Sequence, residues 1–364
     1  MNYRELSTPA LTIDLDVLER NLAQMASYCR EHGLGLRPHT KTHKTPEVAR
    51  MQVEGGALGL TVAKVGEAEV MANAGLNDIL VAYPIYGVEK LRKLVNIAKA
   101  RRLLVSLDAE ATAAELSRAA SEQGAIVGIL VEFDVGLRRC GLEPGPACVE
   151  LARKVEKMPG LKFRGLMTYS GNIWGTEEER REEAKRVAQL VERALRAFAE
   201  ARMPVEIVSG GSTPSAWLSD LIPGLTEIRP GTYVYNDLNT FYQGTCQLAD
   251  CAARVVTTVV STAVPGRAMI DAGSKTLSSD LLSSGPKTGH GYVTEAPDAR
   301  LIKLNEEHGH LDITGSNHRF HVGEVLTVIP NHVCSCVNMH DEVFLVRQEQ
   351  VVGSWRVEAR GKIR

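Results

Sequence analysis

Between residues 34 and 229, eight short runs rich in apolar and β-branched residues recur, near 34–38, 57–62, 79–83, 103–107, 126–133, 163–168, 205–208 and 226–229. Runs of this length and composition read as buried strands. Between them lie segments whose apolar residues return every three or four positions, clearest over 109–123, 146–157 and 177–202, and this spacing predicts amphipathic helices. About eight such strand–helix alternations are the number that closes a parallel (β/α)8 barrel of the TIM type. An open doubly wound sheet is the alternative, but a dinucleotide fold would want G-x-G-x-x-G at the start of its first helix, and no such motif is there. After Asn239 the pattern changes. The runs at 254–264, 268–271, 324–329 and 343–346 are β-rich and broken by Gly and Pro, which predicts a second, antiparallel β domain. The expected division is a barrel over 8–240 and a β domain over 241–364, joined by the first few residues of the chain.

Composition narrows the partner. Lys and Arg number 42 against 44 acidic residues, a formal net charge of −2, so no basic face for nucleic acid or an anionic membrane is expected. A small molecule fits better. The first residues, Met1-Asn2-Tyr3-Arg4-Glu5, have no apolar core of a secretory signal, and no run of 18 apolar residues occurs, so a cytoplasmic location is expected. Seven cysteines, an odd number in a long chain, argue for reduced thiols rather than a disulfide framework.

Three segments carry chemistry. The first is Arg37-Pro38-His39-Thr40-Lys41-Thr42-His43-Lys44, directly after the first predicted strand. Lys41 falls just past the carboxyl end of that strand, the face on which barrel active sites are built. Only a neutral amine attacks an aldehyde, and cationic neighbours favour the neutral form, so this placement suits a lysine that binds pyridoxal phosphate covalently. Lys44 is the rival, but it falls where a helix is about to start at Thr45-Pro46 and is expected to be solvated. The second segment, Ser209-Gly210-Gly211-Ser212-Thr213-Pro214-Ser215, follows the seventh predicted strand and precedes a short helix. Glycines admit a close anion, amides and hydroxyls donate to it, and barrels commonly hold phosphate after strands 7 and 8. The third is Asn331-His332-Val333-Cys334-Ser335-Cys336-Val337-Asn338, beyond a predicted strand. In extended chain, residues two apart share a side, so His332 and Cys334 can grip one ion, with Cys336 on the same side. Imidazole and thiolate favour Zn²⁺, and two ligands leave room for water, substrate or a further residue.

These segments, together with Val131-Glu132-Phe133-Asp134-Val135-Gly136-Leu137-Arg138-Arg139-Cys140-Gly141 and Asp271-Ala272-Gly273-Ser274-Lys275, closely resemble the D-threonine aldolase and D-serine dehydratase family, fold-type III pyridoxal enzymes related to alanine racemase. The resemblance implies a homodimer that uses pyridoxal 5′-phosphate and a divalent metal, Zn, Mn or Mg, on a small β-hydroxy D-amino acid. It also assigns roles. Lys41 looks like the Schiff-base lysine, Arg139 and Tyr169 resemble contacts to the cofactor ring, and Ser209, Gly210, Gly211, Ser212 and Thr213 resemble the phosphate cup. His332 and Cys334 match the metal pair. The aldolase branch often carries Asp where Cys334 stands and dehydratases often carry Cys, whereas VEFDVGLRRCG looks more like the aldolase side. The expected activity is therefore a D-threonine aldolase type of lyase giving glycine and an aldehyde, with D-serine dehydratase, or aldolase or dehydratase of 3-hydroxy-D-aspartate, as alternatives. A racemase would want an acid/base tyrosine from the β domain, and Tyr292 is the one tyrosine after Tyr242. A non-catalytic pyridoxal phosphate carrier would need neither a metal motif nor a second domain.

Overall fold

The computed structural model describes residues 1–283, 285 and 289–364. It divides into two compact units. One gathers Met1–Gln24, Thr42–Thr45 and Thr232–Gly361, and the other Met25–Lys41, Pro46–Gly231 and Lys362–Arg364. They are called here the β unit and the barrel unit.

In the barrel unit the strands Gly35–Leu36, Leu60–Val62, Asp78–Val81, Arg102–Leu107, Val127–Glu132, Leu161–Met167, Ile207–Gly210 and Glu227–Ile228 fall on the eight expected runs. All pair in parallel, in the ring order that begins with Gly35–Leu36 beside Glu227–Ile228 and ends with Leu60–Val62. The two ends of that series meet through a parallel bridge between His39 and Thr61. Thr40 N donates to Thr61 O at 2.8 Å and Thr61 N to Pro38 O at 2.8 Å, so neither end strand is left with an unpaired edge. Strands covered on both faces have no solvent side to mark with polar residues. Val127–Glu132 is accordingly buried along its whole length, and Leu80, Leu104, Leu130, Met167 and Ile207 pack together as a core. At Gly165 the backbone takes φ +148°, and a Cβ there would overlap Ile207 O, so only glycine fits where the strand register shifts.

The helices follow from their ends and stripes. Glu177–Glu200 begins with a capping box in which Thr176 and Glu179 satisfy each other's backbone amides, and three glutamates in its first turn complement the positive end of the dipole. Ala184, Val187, Val191, Ala194 and Phe198 form its buried stripe. Phe198 stacks on Phe163 with centroids 5.4 Å apart.

The barrel unit also encloses a chain of charges. Arg37, 1 % exposed, donates from Nε to both carboxylate oxygens of Glu227 at 2.9 Å and from Nη1 to Asp78 Oδ1 at 2.6 Å. Glu227 in turn accepts Ser209 Oγ at 2.6 Å, and Ser209 Oγ accepts Arg229 Nη1 at 2.7 Å. Alternating signs along this chain leave no buried charge without an opposite neighbour.

In the β unit the sheet runs Arg300–Leu304, Gly309–Asp312, Arg267–Ile270, Ala253–Ser261, Ala10–Asp14, Glu342–Arg347, Gln350–Arg356, with Val325–Pro330 also on Ala253–Ser261 and Gly291–Val293 beyond it. The pairs are antiparallel except that Ala10–Asp14 runs parallel to Glu342–Arg347. Among the described residues no helix is long and apolar enough to cross a membrane.

Candidate active site

Lys41 comes two residues after the bridging His39, at the carboxyl end of its strand, and its amide donates to His39 Nδ1 at 3.3 Å. Its Nζ lies 5.9 Å from the centroid of Tyr169, and Arg139 Cζ lies 4.7 Å from the same ring. Lys41 and Arg139 thus both lie against the ring of Tyr169 at the carboxyl ends of the barrel strands. Arg139 is aimed by the loop after Val127–Glu132. Asp134 N donates to Leu142 O, Leu142 N to Glu132 O, and Gly141 N to Asp108 Oδ2 at 2.8 Å, which folds residues 134–141 back on the strand end.

Lys44 does not behave as expected. It is buried, takes φ +55°, and its Nζ donates to Ala359 O at 3.4 Å within the β unit. The left-handed residue turns the chain before Pro46 opens the helix Pro46–Glu54, so Lys44 precedes the first turn instead of sitting solvated in it.

The glycine-rich segment starts inside the strand Ile207–Gly210 and ends at a six-residue 3₁₀ stretch, Ala216–Leu221, rather than an α-helix. A turn this short contributes little dipole, which leaves the donors themselves to hold an anion. Gly211 has φ +74°, and its Cβ would meet Ile228 at 3.1 Å. Ser212 N donates to Ser215 Oγ at 2.9 Å, and Gly231 N donates to Thr213 Oγ1 at 3.1 Å. Ser209 stands apart, because its hydroxyl is held between Glu227 and Arg229.

Arg229 was not among the residues expected from sequence. It is fully buried between Ser209 Oγ and Thr168 O, the latter at 2.7 Å, and burial pulls its pKa down to about 10 against the pull of Glu227, Glu132 and Tyr169. The hydroxyl of neighbouring Thr168 is buried without a hydrogen-bond partner. Arg229 escaped notice because an arginine at a strand end, in Ile228-Arg229-Pro230, has no spacing signature of its own.

The metal motif requires a correction. The expected extended chain is confined to His332, φ −136° and ψ 101°, which is the N-cap of a short helix, Val333–Val337. Residues two apart on a helix diverge by roughly 200°. Cys336 therefore points away from Cys334 and does not join the pair: it is buried, donates to Thr276 O at 3.2 Å, and burial pushes its thiol up to about 12. Cys334 does join His332, by a hydrogen bond to the imidazole. Burial would lower the pKa of His332, but that bond and the charges of Cys334, Asp237 and Asp280 outweigh it and raise the imidazole to about 10. Fully buried Asp237 starts two helices at once, accepting Thr240 N at 2.9 Å and Val333 N at 2.9 Å, and burial raises its carboxyl pKa. Thr42 Oγ1 lies 3.2 Å from Cys334 Sγ, in hydrogen-bond contact. Among the described residues no group of three or more His, Cys, Asp and Glu side chains is arranged to hold a metal ion.

Residues 13–239 match the family model for the alanine racemase N-terminal domain, and residues 252–346 that for the putative serine dehydratase domain. The chain is 31 % identical to D-threonine aldolase of Arthrobacter sp., over 98 % of this chain and 93 % of the relative. The chain belongs to the D-threonine aldolase and D-serine dehydratase family. Among solved structures of the family, D-threonine aldolase from Filomicrobium marinum superposes with a TM-score of 0.92 at 32 % identity, covering 100 % of this chain and 98 % of that one. The D-threo-3-hydroxyaspartate dehydratase from Delftia sp. HT23 gives 0.91 at 31 % identity, covering 98 % of each. That dehydratase has also been solved with a histidine and, two positions on, a cysteine each replaced by alanine, the cysteine variant in a metal-free form. His332 and Cys334 have the same spacing in this member of the family. Tyr292, considered above for a racemase, packs against the core of Leu238, Cys251, Leu282 and Ile329 in the β unit.

Proposed function

We propose that the chain is a lyase of β-hydroxy D-amino acids that works with pyridoxal 5′-phosphate and a divalent metal, cleaving a D-threonine-type substrate to glycine and an aldehyde. The observation that carries this reading is the hydrogen bond of Thr42, the residue next to Lys41 in the chain, to the thiol of Cys334. Both residues lie in the β unit, so the metal motif sits beside the chain position that follows Lys41. The donor sets fit the two groups. Around Lys41 and Tyr169, Arg229 offers a buried cation and Thr168 a buried hydroxyl still lacking a partner, while Gly210, Gly211, Ser212 and Thr213 offer the close backbone and hydroxyls that a phosphate takes. His332 and Cys334 offer an imidazole and a thiol, a pair that suits Zn²⁺.

When bound, pyridoxal phosphate supplies an electron sink for a carbanion at the amino acid's Cα, and the metal acidifies the β-hydroxyl. The chain's residues do the rest. Lys41 Nζ holds the cofactor and carries a proton to or from Cα. Arg139 and Tyr169 fix the plane of the ring, and His332 and Cys334 hold the ion. We propose a homodimer as the assembly, which the resemblance implies and sedimentation would decide.

A second reading, dehydration, is favoured by one observation: Cys334 and His332 reproduce the spacing of the histidine and cysteine replaced in the Delftia dehydratase variants. The test is incubation of the purified, metal-loaded protein with D-threonine, D-serine and 3-hydroxy-D-aspartate. Glycine with an aldehyde supports cleavage, a ketoacid with ammonia supports dehydration, and neither product from any of the three overturns both.

A further inference from the structure

Arg180 stands in the first turn of Glu177–Glu200 and is 7 % exposed. Its hydrogen bonding is poor. Nη1 donates to Pro214 O at 3.5 Å, the far limit of such a bond, and Nε has no partner. The carboxylate that acts on it most strongly, Glu177, is exposed and paired with Arg181 at 2.9 Å, and no described carboxylate forms an ion pair with Arg180 itself. Burial holds the guanidinium below its ordinary pKa, with Arg181 adding to the effect and Glu177 opposing it. A guanidinium nevertheless stays charged at any physiological pH. A buried cation without a counter-charge is costly, and in a folded chain it points to an anion that joins it.

The carbonyl it touches identifies where. Pro214 belongs to the segment Ser209–Ser215, whose other groups are neutral: Ser212 N on Ser215 Oγ at 2.9 Å, Ser170 Oγ with Ser215 Oγ at 3.2 Å, and Ser212 Oγ toward Ser170 O at 3.5 Å. Neutral amides and hydroxyls can orient a phosphate monoester, but they do not neutralise a group carrying close to two negative charges at pH 7. We propose that Arg180 is the counter-charge of the cofactor phosphate, acting from behind the loop through the Pro214 peptide. This rests on the reading that pyridoxal phosphate binds here, and it adds a residue outside the glycine-rich segment to the phosphate site.

The test compares pyridoxal phosphate with pyridoxal, which has the same ring and aldehyde but no phosphate, on the cofactor-stripped full chain. Arg180→Met should weaken pyridoxal phosphate about tenfold, the size of a charge interaction across a loop, and leave pyridoxal affinity unchanged. Arg180→Lys should recover most of the loss, and the thermal midpoint of stripped Arg180→Met should not fall, because an uncompensated charge has been removed. Arg180→Gln keeps a donor for Pro214 O without the charge and must show the same selective loss; wild-type affinity there overturns the proposal. Equal weakening of both ligands overturns it in favour of a packing role, and unchanged cofactor affinity with a raised KM overturns it in favour of the substrate's carboxylate. A wild-type chain that binds neither ligand would instead refute the pyridoxal phosphate reading itself.

Discussion

His332 Nδ1 lies 2.8 Å from Asp280 Oδ2, and the same oxygen accepts Ser335 Oγ at 2.6 Å. Asp280 is itself tethered, since Asn331 Nδ2 donates to its carbonyl at 3.0 Å and to Gly289 O at 3.0 Å. A carboxylate on Nδ1 fixes the tautomer and plane of the ring and leaves Nε2 as the ligand nitrogen, an arrangement whose loss typically costs 10- to 100-fold in metal affinity. Asp280→Ala is therefore expected to weaken Zn²⁺ by about that factor in a competition titration, with the cofactor absorbance intact. His332→Ala should abolish activity and also leave that absorbance. Wild-type metal affinity in Asp280→Ala would show that the contact does not orient a ligand.

Lys41 and Lys44 make opposite predictions under borohydride. Lys41 is half-buried beside Tyr169, whereas Lys44 Nζ is occupied by Ala359 O. Reduction of the holoenzyme followed by peptide mapping should find the pyridoxyl group on Lys41 alone. A label on Lys44, or on Lys275, which is exposed and paired with Glu307 at 2.6 Å, would sink the assignment.

The glycine-rich loop separates backbone from hydroxyl. Gly211 has φ +74°, and a Cβ there would lie only 3.1 Å from Ile228 Cβ, so Gly211→Val imposes both strain and a clash, while Ser212→Ala removes one hydroxyl. Dialysis against buffer should strip the cofactor from Gly211→Val much faster than from Ser212→Ala. Equal retention would place the phosphate elsewhere.

The barrel was legible because its strands are buried on both faces: the runs at 126–133 and 103–107 contain almost no polar residue to confuse the pattern, and Val127–Glu132 and Arg102–Leu107 fall on them. The β unit was read less completely. Ala10–Asp14 looks like any short apolar run and is assigned to its sheet only by long-range pairing with Ala253–Ser261 and Glu342–Arg347. Gln350–Arg356 and Arg300–Leu304 are exposed over most of their length, so burial left little imprint on their composition. The same division holds at the site. Lys41 and the glycine-rich segment follow from their places after strands, whereas Arg229, Asp280 and Asp237 depend on contacts 20 to 96 residues away in sequence that no local pattern records. The extended reading of Asn331–Asn338 failed for a related reason: Asp237 accepts Val333 N and starts a helix where Val, Cys and Ser alone suggest a strand.

The buried pair Arg37–Glu227 offers a stability test independent of activity. Both oxygens of Glu227 lie 2.9 Å from Arg37 Nε, and both side chains are almost wholly buried. Glu227→Ala leaves Arg37 only Asp78, itself shared with Arg102 at 2.6 Å, and removes the acceptor of Ser209. The expected loss is about 3–5 kcal/mol in urea unfolding. Replacing Arg37 with Met and Glu227 with Leu together should cost less than Glu227→Ala alone, because no buried charge is stranded. A double replacement worse than the single one would mean that the pair stabilises the barrel on balance.

Glu295 in the β unit sets part of the acid limit of stability. Burial pushes its carboxyl pKa up, but Thr327 N at 2.8 Å, Thr327 Oγ1 at 2.9 Å and Thr294 Oγ1 at 2.9 Å outweigh this and hold it below its ordinary value. With the folded pKa depressed, the unfolded chain takes up a proton first as pH falls. The contribution is therefore complete above the unfolded pKa, near 4.3, and is lost as pH falls through the lower folded value. Glu295→Gln should be destabilised by about 1.5–3 kcal/mol at neutral pH, the range for hydrogen bonds to a charged group, and the gap to wild type should close below about pH 4. Arg4, paired with Glu295 at 3.0 Å but 40 % exposed, should matter far less, with Arg4→Ala within about 0.5 kcal/mol of wild type. Urea midpoints taken from pH 3 to 8 decide it: a gap that stays constant with pH would assign the effect to the shape of the hydrogen bonds and not to the ionised carboxylate.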